Sequence, residues 1–275
     1  MSIPYTASGA TLHYAEQGAG TPVVFLHPTP LDHRYWLAMV AKLDGVRAIL
    51  PDFRGHGASE LGAGLPVGGF ALVPNAPVLT MGQLADDVLM LLDRLGIESA
   101  VFCGCSIGGY VLLELWRRAP HRMKALAFVC SKPQADGEAA LQKRAENIAR
   151  VRAEGAGSFL DTMANTLPGA SARARRPELV SEVRATMTLT AEAVVAVQAG
   201  MAVRPDSLPT VATINVPALA IAGGEDGSVS SGDMAAFQSA PGGCEWHLLP
   251  DAGHLAAYEQ PGRVAELFGT WLQTL

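Results

Sequence analysis

The sequence predicts an α/β fold in which a mostly parallel central sheet carries helices on both faces. Four runs that are apolar except for Arg47 have the length and composition of strands that are buried on both sides. They are residues 23–26, 46–50, 100–103 and 125–130. Between them, residues 81–95 repeat apolar side chains at helical spacing until Gly96 ends the pattern. Alternation of such strands with helices is typical of parallel sheets.

The rest of the chain extends this pattern. Residues 11–16 alternate weakly and predict a strand, with a hairpin at residues 18–20. The other predicted elements are helices at 35–43, 109–116 and 263–275 and strands at 217–222 and 245–249. Residues 61–80 are rich in Gly and Pro without a sustained period, which predicts a long loop.

Only helical patterns occur from residue 131 to residue 209. The predicted helices are 138–154, 158–167, 177–188 and 191–203, separated by Gly and Pro. A helical stretch of this length between two strands predicts a cap over one edge of the sheet. We therefore expect a core of residues 1–130 and 210–275 and a helical cap of residues 131–209.

Composition narrows the possible partners. The chain has 275 residues, 49% of them hydrophobic, and a net charge of −6 at pH 7. Its Lys and Arg residues are mostly scattered, which argues against nucleic acid or an anionic membrane surface as partner. The four cysteines lie in or beside apolar runs without zinc-site spacing, so we expect reduced thiols and no metal site. No leader pattern and no run of 18 apolar residues is present, which predicts a cytoplasmic protein.

A candidate nucleophile lies at the centre of the pentapeptide Gly104-Cys105-Ser106-Ile107-Gly108. A predicted strand leads into this segment and a predicted helix leads out of it, so Ser106 lies on a strand-to-helix turn. The two glycines lack the Cβ that would collide with the neighbouring backbone in a tight turn. Such a turn exposes a serine hydroxyl for nucleophilic chemistry.

Two further residues are suited to activate that serine. Asp226 follows the strand at 217–222, and His254 follows the strand at 245–249. Because the carboxyl ends of parallel strands meet at one edge, Ser106, Asp226 and His254 are expected to converge. In that arrangement His254 accepts the serine proton and Asp226 orients the imidazole. Glu225 and Asp233 remain alternative acids.

These residues resemble the α/β-hydrolase superfamily. Its members carry the acid and then the histidine after the serine, as here. The block at residues 52–57 (DFRGHG) and the Gly253-His254 pair are similar to recurrent family sequences. Residues 30–32 and Trp36 resemble the subgroup of bacterial aryl esterases, cofactor-free perhydrolases and 3-oxoadipate enol-lactonase-like enzymes. The resemblance spans nearly the whole chain and implies the α/β-hydrolase fold with a helical cap.

The resemblance also implies an oxyanion hole. Its backbone N–H donors would be those of Ile107 and Thr29. The family commonly has Gly after the histidine at position 27, whereas this chain has Pro28, which lacks an N–H. The residues expected to line the substrate pocket are Pro30, Ser131 and Leu255.

The predicted activity is hydrolysis of a small or medium carboxylic ester, or a lactone, through an acyl-enzyme on Ser106. No cofactor is expected, because there is no metal pattern and no GxGxxG loop. Apolar residues in the predicted cap favour an uncharged acyl compound as substrate; they are Met163, Leu167, Met187 and Leu189. The alternatives are a cofactor-free lyase or C–C bond hydrolase that uses the same three residues, and a ligand receptor without turnover.

Overall fold

The computed structural model describes residues 2–275 and contains one eight-stranded sheet with the order β1-β2-β4-β3-β5-β6-β7-β8. The strands are β1 (Ile3–Ala7), β2 (Ala10–Gly18), β3 (Thr21–Leu26), β4 (Val46–Pro51), β5 (Ala100–Cys105), β6 (Met123–Val129), β7 (Ala218–Gly223) and β8 (Cys244–Leu249). Strands β3 to β8 run parallel, and β1 and β2 pair antiparallel at one edge. The predicted mostly parallel sheet is confirmed.

Twelve α-helices connect and cover these strands within residues 2–275. They are α1 (Arg34–Val40), α2 (Met81–Arg94), α3 (Ile107–Arg118), α4 (Glu138–Glu154), α5 (Gly157–Thr166), α6 (Ala170–Arg175), α7 (Leu179–Ala185), α8 (Ala191–Ala202), α9 (Leu208–Val211), α10 (Ser231–Met234), α11 (Ala256–Glu259) and α12 (Pro261–Leu272). Within that range, no helix combines the length and apolar character needed to cross a membrane.

The continuous apolar runs follow from burial of both faces of the sheet. In β3, Val23 and Phe25 belong to the hydrophobic core on one face, whereas Val24 and Leu26 belong to the core on the other. Successive side chains of a strand point to opposite faces, so the buried part of a doubly covered strand is apolar at successive positions. Helices α1 and α12 cover the first face, and α2 and α3 cover the second.

The segment between β6 and β7, residues 130–217, is called the helical insertion below. It contains α4 to α9 and no strand. The helix predicted at 177–188 corresponds to α7, which is shorter and spans Leu179–Ala185. Helix α6 was not predicted. Helix α6 buries only Ala172, so its sequence carries almost no apolar period. The predicted loop at 61–80 contains no helix and only isolated bridges.

One buried ion pair joins three parts of the core. The Arg54 guanidinium donates to both carboxylate oxygens of Asp87 in α2, at 2.6 and 2.7 Å, and to the Ala7 carbonyl oxygen at the end of β1. The two charged side chains are 1% and 5% exposed. A charge left without its partner in such a site is strongly unfavourable.

We expect Asp87→Ala to lower the free energy of unfolding by about 3–5 kcal/mol, because it leaves the Arg54 charge buried and unpaired. The neighbouring Asp86 is a matched control: it pairs with Arg118, but its side chain is 51% exposed. Asp86→Ala should cost less than about 1 kcal/mol. Urea unfolding of the two variants measures both values. Equal losses would show that the buried pair has no special role.

Candidate active site

Ser106 occupies a sharp turn between the end of β5 and the start of α3. Its backbone lies at φ 52° and ψ −116°, in the positive-φ region that residues with side chains rarely adopt. The turn closes because two glycines lack a Cβ. A Cβ on Gly104 would lie 2.5 Å from the Gly108 carbonyl carbon, and one on Gly108 would lie 2.3 Å from the Leu26 carbonyl oxygen. The predicted strand-to-helix turn is therefore present.

Strand β6 and the segment that follows it hold the backbone of Ser106. The Ser106 N–H donates to the Val129 carbonyl over 3.1 Å. The Ser131 hydroxyl donates to the Ser106 carbonyl over 2.8 Å. Both contacts fix the backbone of Ser106, and its side chain remains free to face the space above the sheet edge.

Asp226 and His254 follow two paired parallel strands, β7 and β8, at the same edge as Ser106. The His254 Nδ1 lies 2.8 Å from the Asp226 Oδ2. The other Asp226 oxygen accepts the Ser228 and Val229 N–H groups over 2.7 and 3.0 Å. Since an ionised carboxylate only accepts, His254 Nδ1 carries the proton and Nε2 is the acceptor of the neutral ring.

The other two candidate acids, Glu225 and Asp233, form hydrogen bonds with residues other than His254. The Glu225 carboxylate accepts hydrogen bonds from the Ser171 N–H and hydroxyl in α6. The Asp233 carboxylate accepts the Ser230 hydroxyl over 2.8 Å. Asp226 is therefore the one of the three candidate acids that is hydrogen-bonded to His254.

The environment shifts the pKa values of this pair in opposite directions. Burial alone would raise the pKa of Asp226, but the His254 charge and hydrogen bonds from His254 and two backbone N–H groups outweigh it and lower the pKa. Burial alone would lower the pKa of His254, but the charge and hydrogen bond of Asp226, with the charge of Glu259, raise it above its ordinary value. Both shifts favour the ion pair that forms when the imidazole gains a proton.

A carboxylate that sequence reasoning missed holds both flanks of His254. Glu259 Oε2 accepts the Gly253 N–H over 2.8 Å, and its Oε1 accepts the Leu255 N–H over 3.0 Å. The same Oε2 accepts the Gly169 N–H over 3.1 Å, which links the helical insertion to this loop. Glu259 thereby fixes the peptide groups on each side of the imidazole.

A cavity of about 570 Å³ lies between the sheet edge and the helical insertion, and Ser106, His254 and Thr29 all line it. This volume is in the range of small-molecule sites. Ser106 is 8% exposed and His254 is 3% exposed. No hydrogen bond joins their side chains in the described residues 2–275, although the two face the same space. Such contacts are often long before a substrate binds.

A buried histidine supports the loop at Thr29. His56 Nδ1 donates to the Arg54 carbonyl over 2.9 Å, so its Nε2 accepts the Thr29 hydroxyl over 2.9 Å. Burial lowers the pKa of His56 and keeps the ring neutral. The Thr29 hydroxyl is therefore occupied by His56, and the backbone N–H of Thr29 has no acceptor among the described residues.

A second buried histidine supports the same loop. His27 Nδ1 donates to the Pro28 carbonyl over 3.0 Å, and its Nε2 accepts the Phe53 N–H over 3.0 Å. Burial, and then the proximity of His56, lower the pKa of His27 well below its ordinary value. The Pro28 carbonyl also accepts the Leu31 N–H over 3.1 Å, which closes a turn around Thr29. Pro28 thus contributes to this loop through its carbonyl, and the hydrogen bonds described here need no N–H from Pro28.

The cavity lining differs from the expected apolar pocket. Met163 and Leu167 contribute to it, whereas Met187 and Leu189 are buried in the core. Four cationic side chains also line it, namely Lys132, Lys143, Arg144 and Arg150. Sequence reasoning missed these cations. For the three in α4, the helical pattern does not tell which face turns toward the sheet.

The structure places the three predicted pocket residues outside the lining of this cavity. Pro30, Ser131 and Leu255 are all buried, and none is among the residues that line this cavity. Ser131 has no exposed surface because its hydroxyl binds the Ser106 carbonyl. Leu255 packs into the hydrophobic core. They follow the ends of β3, β6 and β8 as expected, but their side chains point into the protein.

One group of side chains has donor atoms close enough to hold a metal ion. Asp32, His33 and Asp52 each offer a donor within 4.8 Å of the others. However, His33 Nδ1 already contacts Asp52 over 2.8 Å, and the Arg34 guanidinium binds Asp32. Each of the three side chains is therefore already bonded within the protein, and we do not assign a metal site to this group.

Comparison with known proteins settles the family. The family model described as alpha/beta hydrolase fold matches residues 21–261. The chain belongs to this family. The eight-stranded sheet and the order of Ser106, Asp226 and His254 agree with that membership.

Individual members of the alpha/beta hydrolase family resemble the chain over nearly its full length. It is 30% identical over 267 residues to 3-oxoadipate enol-lactonase 2 of Acinetobacter baylyi, covering 93% of this chain and 91% of that protein. A thermophilic esterase from Thermogutta terrifontis, solved with malate bound, has a TM-score of 0.88, 31% identity and coverage of 100% and 98%. The enol-lactonase from Burkholderia xenovorans LB400 has a TM-score of 0.85, 25% identity and coverage of 98% and 100%.

We expect His254 to titrate above the ordinary histidine value of 6.5 in the unaltered protein. In Asp226→Asn the burial remains while the carboxylate charge is lost, so the pKa of His254 should fall below that value. An NMR titration of the imidazole measures both. Glu225→Gln is the control, because the neighbouring carboxylate binds Ser171 and should leave the pKa unchanged. An unaltered pKa in Asp226→Asn would contradict the pairing.

Proposed function

We propose that this alpha/beta hydrolase cleaves a small or medium carboxylic ester, including lactones as cyclic esters, through an acyl-enzyme on Ser106. The observation that carries the proposal is one cavity lined by a serine on a strained turn and by a histidine hydrogen-bonded to a carboxylate. In this reading Ser106, His254 and Asp226 form a catalytic triad.

In the first half-reaction the Ser106 hydroxyl attacks the ester carbonyl while its proton passes to Nε2 of His254. The tetrahedral intermediate then collapses, and the alcohol leaves with the proton from His254. Water repeats the sequence on the acyl-enzyme, and the acid is released. Asp226 holds the imidazole by Nδ1 and stabilises its positive charge, as the raised pKa of His254 supports.

The negative oxygen of the intermediate needs donors in fixed positions. We propose that these donors are the backbone N–H groups of Ile107, at the first turn of α3, and of Thr29. Neither N–H has an acceptor within residues 2–275, which leaves both available. The His27 and His56 hydrogen bonds hold the Thr29 loop rigid, so the donor would be in place before substrate binds.

The relatives support ester or lactone hydrolysis, because the printed names include both an esterase and enol-lactonases. We also propose that residues 131–209 act as a cap that closes the cavity over the sheet edge. The lyase or C–C hydrolase alternative uses the same three residues. It would be favoured if simple esters and lactones were inert while β-dicarbonyl or cyanohydrin compounds were bound.

We expect Ser106→Ala to abolish turnover of p-nitrophenyl acetate while circular dichroism and urea unfolding show an intact fold. The substitution removes the only hydroxyl that this mechanism uses, and Ala leaves the glycines of the turn unchanged. Ser239→Ala, at an exposed serine, is the control and should keep full activity. Undiminished turnover by Ser106→Ala would refute the nucleophile assignment.

The pH dependence of kcat/KM should follow His254. Its neutral form accepts the proton, so activity falls as pH decreases through its pKa, which lies above 6.5. Initial rates with p-nitrophenyl acetate across the pH range locate this limb. Glu259→Gln removes a charge that raises the pKa of His254, so the limb should move to lower pH. A limb below 6.5 in the unaltered protein would contradict the role of the Asp226 pair.

A further inference from the structure

The peptide groups that flank His254 are buried, so each needs a partner inside the protein. Residues 250–255 join β8 to α11 and are called the histidine loop below. Within this loop Gly253, His254 and Leu255 are buried. A buried backbone donor or acceptor that finds no partner costs free energy. The partners of these groups therefore decide where the imidazole is held.

The N–H groups of these three residues all have acceptors. Glu259 accepts those of Gly253 and Leu255, and the Leu167 carbonyl accepts that of His254 over 2.9 Å. The Leu255 carbonyl accepts the Glu259 N–H over 2.9 Å. The carbonyls of Gly253 and His254 remain, and no backbone N–H within residues 2–275 donates to either of them.

Two buried thiols supply the missing donors. Cys130 directly follows β6, and its Sγ lies 3.6 Å from the Gly253 carbonyl oxygen. Cys105 ends β5, and its Sγ lies 3.7 Å from the His254 carbonyl oxygen. Neither cysteine has exposed surface, and burial raises the pKa of both thiols. Each thiol therefore keeps its proton and donates a hydrogen bond to the carbonyl beside it.

A buried tyrosine orients the Cys105 thiol. The Tyr35 hydroxyl, from α1, donates to the Cys105 Sγ over 3.2 Å and accepts the Ala257 N–H over 3.3 Å. Because the sulfur accepts from Tyr35, its own proton is directed to the His254 carbonyl. The hydrogen bonds thus run from α11 through two buried side chains and return to the histidine loop. Chains of this kind strengthen one another in a buried environment.

The backbone is strained at Cys130, as it is at Ser106. The two residues have φ values of 45° and 52°, which residues with side chains rarely adopt. The Cys130 N–H donates to the Ile221 carbonyl in β7 over 3.0 Å, which holds the residue at the carboxyl edge of the sheet. Residues kept in such conformations cluster at functional sites. The strain at Cys130 supports a role at this site, and its thiol is the group that reaches the histidine loop.

The Cys105 contact links the two reacting parts of the site. Cys105 precedes Ser106 in the chain, so its bond to the His254 carbonyl joins the loop of the base to the strand of the nucleophile. Proton transfer needs the two groups within hydrogen-bond reach, and a misplacement of about 1 Å can cost about a hundredfold in rate. Neither thiol lines the cavity, and neither does Tyr35, so these groups act on that distance and not on substrate binding.

We propose that Tyr35, Cys105 and Cys130 are positioning residues, which fix the histidine loop through its carbonyl groups. They keep the imidazole of His254 within reach of the Ser106 hydroxyl. The inference rests on the proposed nucleophile and base, and it adds residues that contact no reacting atom. The two thiols act as hydrogen-bond donors and not only as apolar side chains of the core.

Alanine substitutions separate the hydrogen bond from the loss of side-chain volume. Cys103 is the matched control, because it lies two residues before Cys105 on the same face of β5, is equally buried and forms no hydrogen bond through its thiol within residues 2–275. Cys105→Ala should lower kcat for p-nitrophenyl acetate about tenfold and leave KM within about twofold, and Cys130→Ala should act alike. Cys103→Ala should keep both constants within about twofold.

Conservative substitutions test whether the donor itself is needed. Cys105→Ser replaces the S–H donor by an O–H donor and should restore most of the kcat that Cys105→Ala loses. Tyr35→Phe removes the hydroxyl that orients the thiol and should lower kcat about threefold. Tyr14→Phe, at a buried tyrosine of β2, is its control and should keep kcat. Circular dichroism checks each fold, and the tyrosine pair carries the test if Cys105→Ala does not fold.

An NMR titration of His254 tests the positioning without turnover. Its pKa is raised by the Asp226 carboxylate, which lies 2.8 Å from Nδ1, and by the Glu259 charge. A loosened histidine loop lengthens the contact with Asp226 on average, so the pKa in Cys105→Ala should fall toward 6.5. Cys103→Ala should leave the pKa of His254 at the value of the unaltered protein.

The outcomes separate this inference from the proposed function. Equal kcat values in Cys105→Ala and Cys103→Ala, a loss that Cys105→Ser does not restore, or a change confined to KM would overturn the positioning role. So would an unshifted pKa of His254 in Cys105→Ala. Failure of the proposed function would instead appear as unaltered protein that leaves the ester intact, while the pKa of His254 still differs between the two alanine variants.

Discussion

The constraint on which the site depends is the tight turn that carries Ser106. Its positive φ is tolerated only because Gly104 and Gly108 let α3 approach the ends of β5 and β3 within distances that any Cβ would prevent. The parallel sheet then determines what lies beside the serine, because β7 and β8 end at the same edge. The acid and the histidine arrive there on loops that follow those strands, and the helical insertion covers them.

The histidine loop is held from the insertion as well as from the sheet. The His254 N–H donates to the Leu167 carbonyl over 2.9 Å, and Glu259 joins Gly253 and Leu255 to Gly169. The position of the imidazole is thus coupled to the helices that form the other wall of the cavity. This coupling gives the insertion a structural role at the site in addition to the residues with which it lines the cavity.

The sequence was sufficient for the features set by local chemistry. Weak alternation located β2, apolar runs and strand patterns located β3 to β8, and the two glycines located the turn at Ser106. Antiparallel β1 was missed because its exposed side chains break the alternation. The direction of the side chains was harder to predict: Ser131 and Leu255 follow the expected strands, but their side chains point into the protein. The role of Glu259 was not predicted, because this residue belongs to no recognised motif. The cations of α4 were visible at helical spacing, but only tertiary packing decides which face meets the cavity.

The most direct measurement of the central claim is covalent labelling of the nucleophile. The intact mass of the protein is recorded after exposure to a fluorophosphonate probe, followed by peptide mapping, with Ser106→Ala as the control. A hydroxyl activated by His254 should form a single adduct that maps to Ser106 and is absent from the variant. A protein that stays unlabelled, or an adduct at another residue that persists in Ser106→Ala, would contradict the assignment of Ser106 as an activated nucleophile.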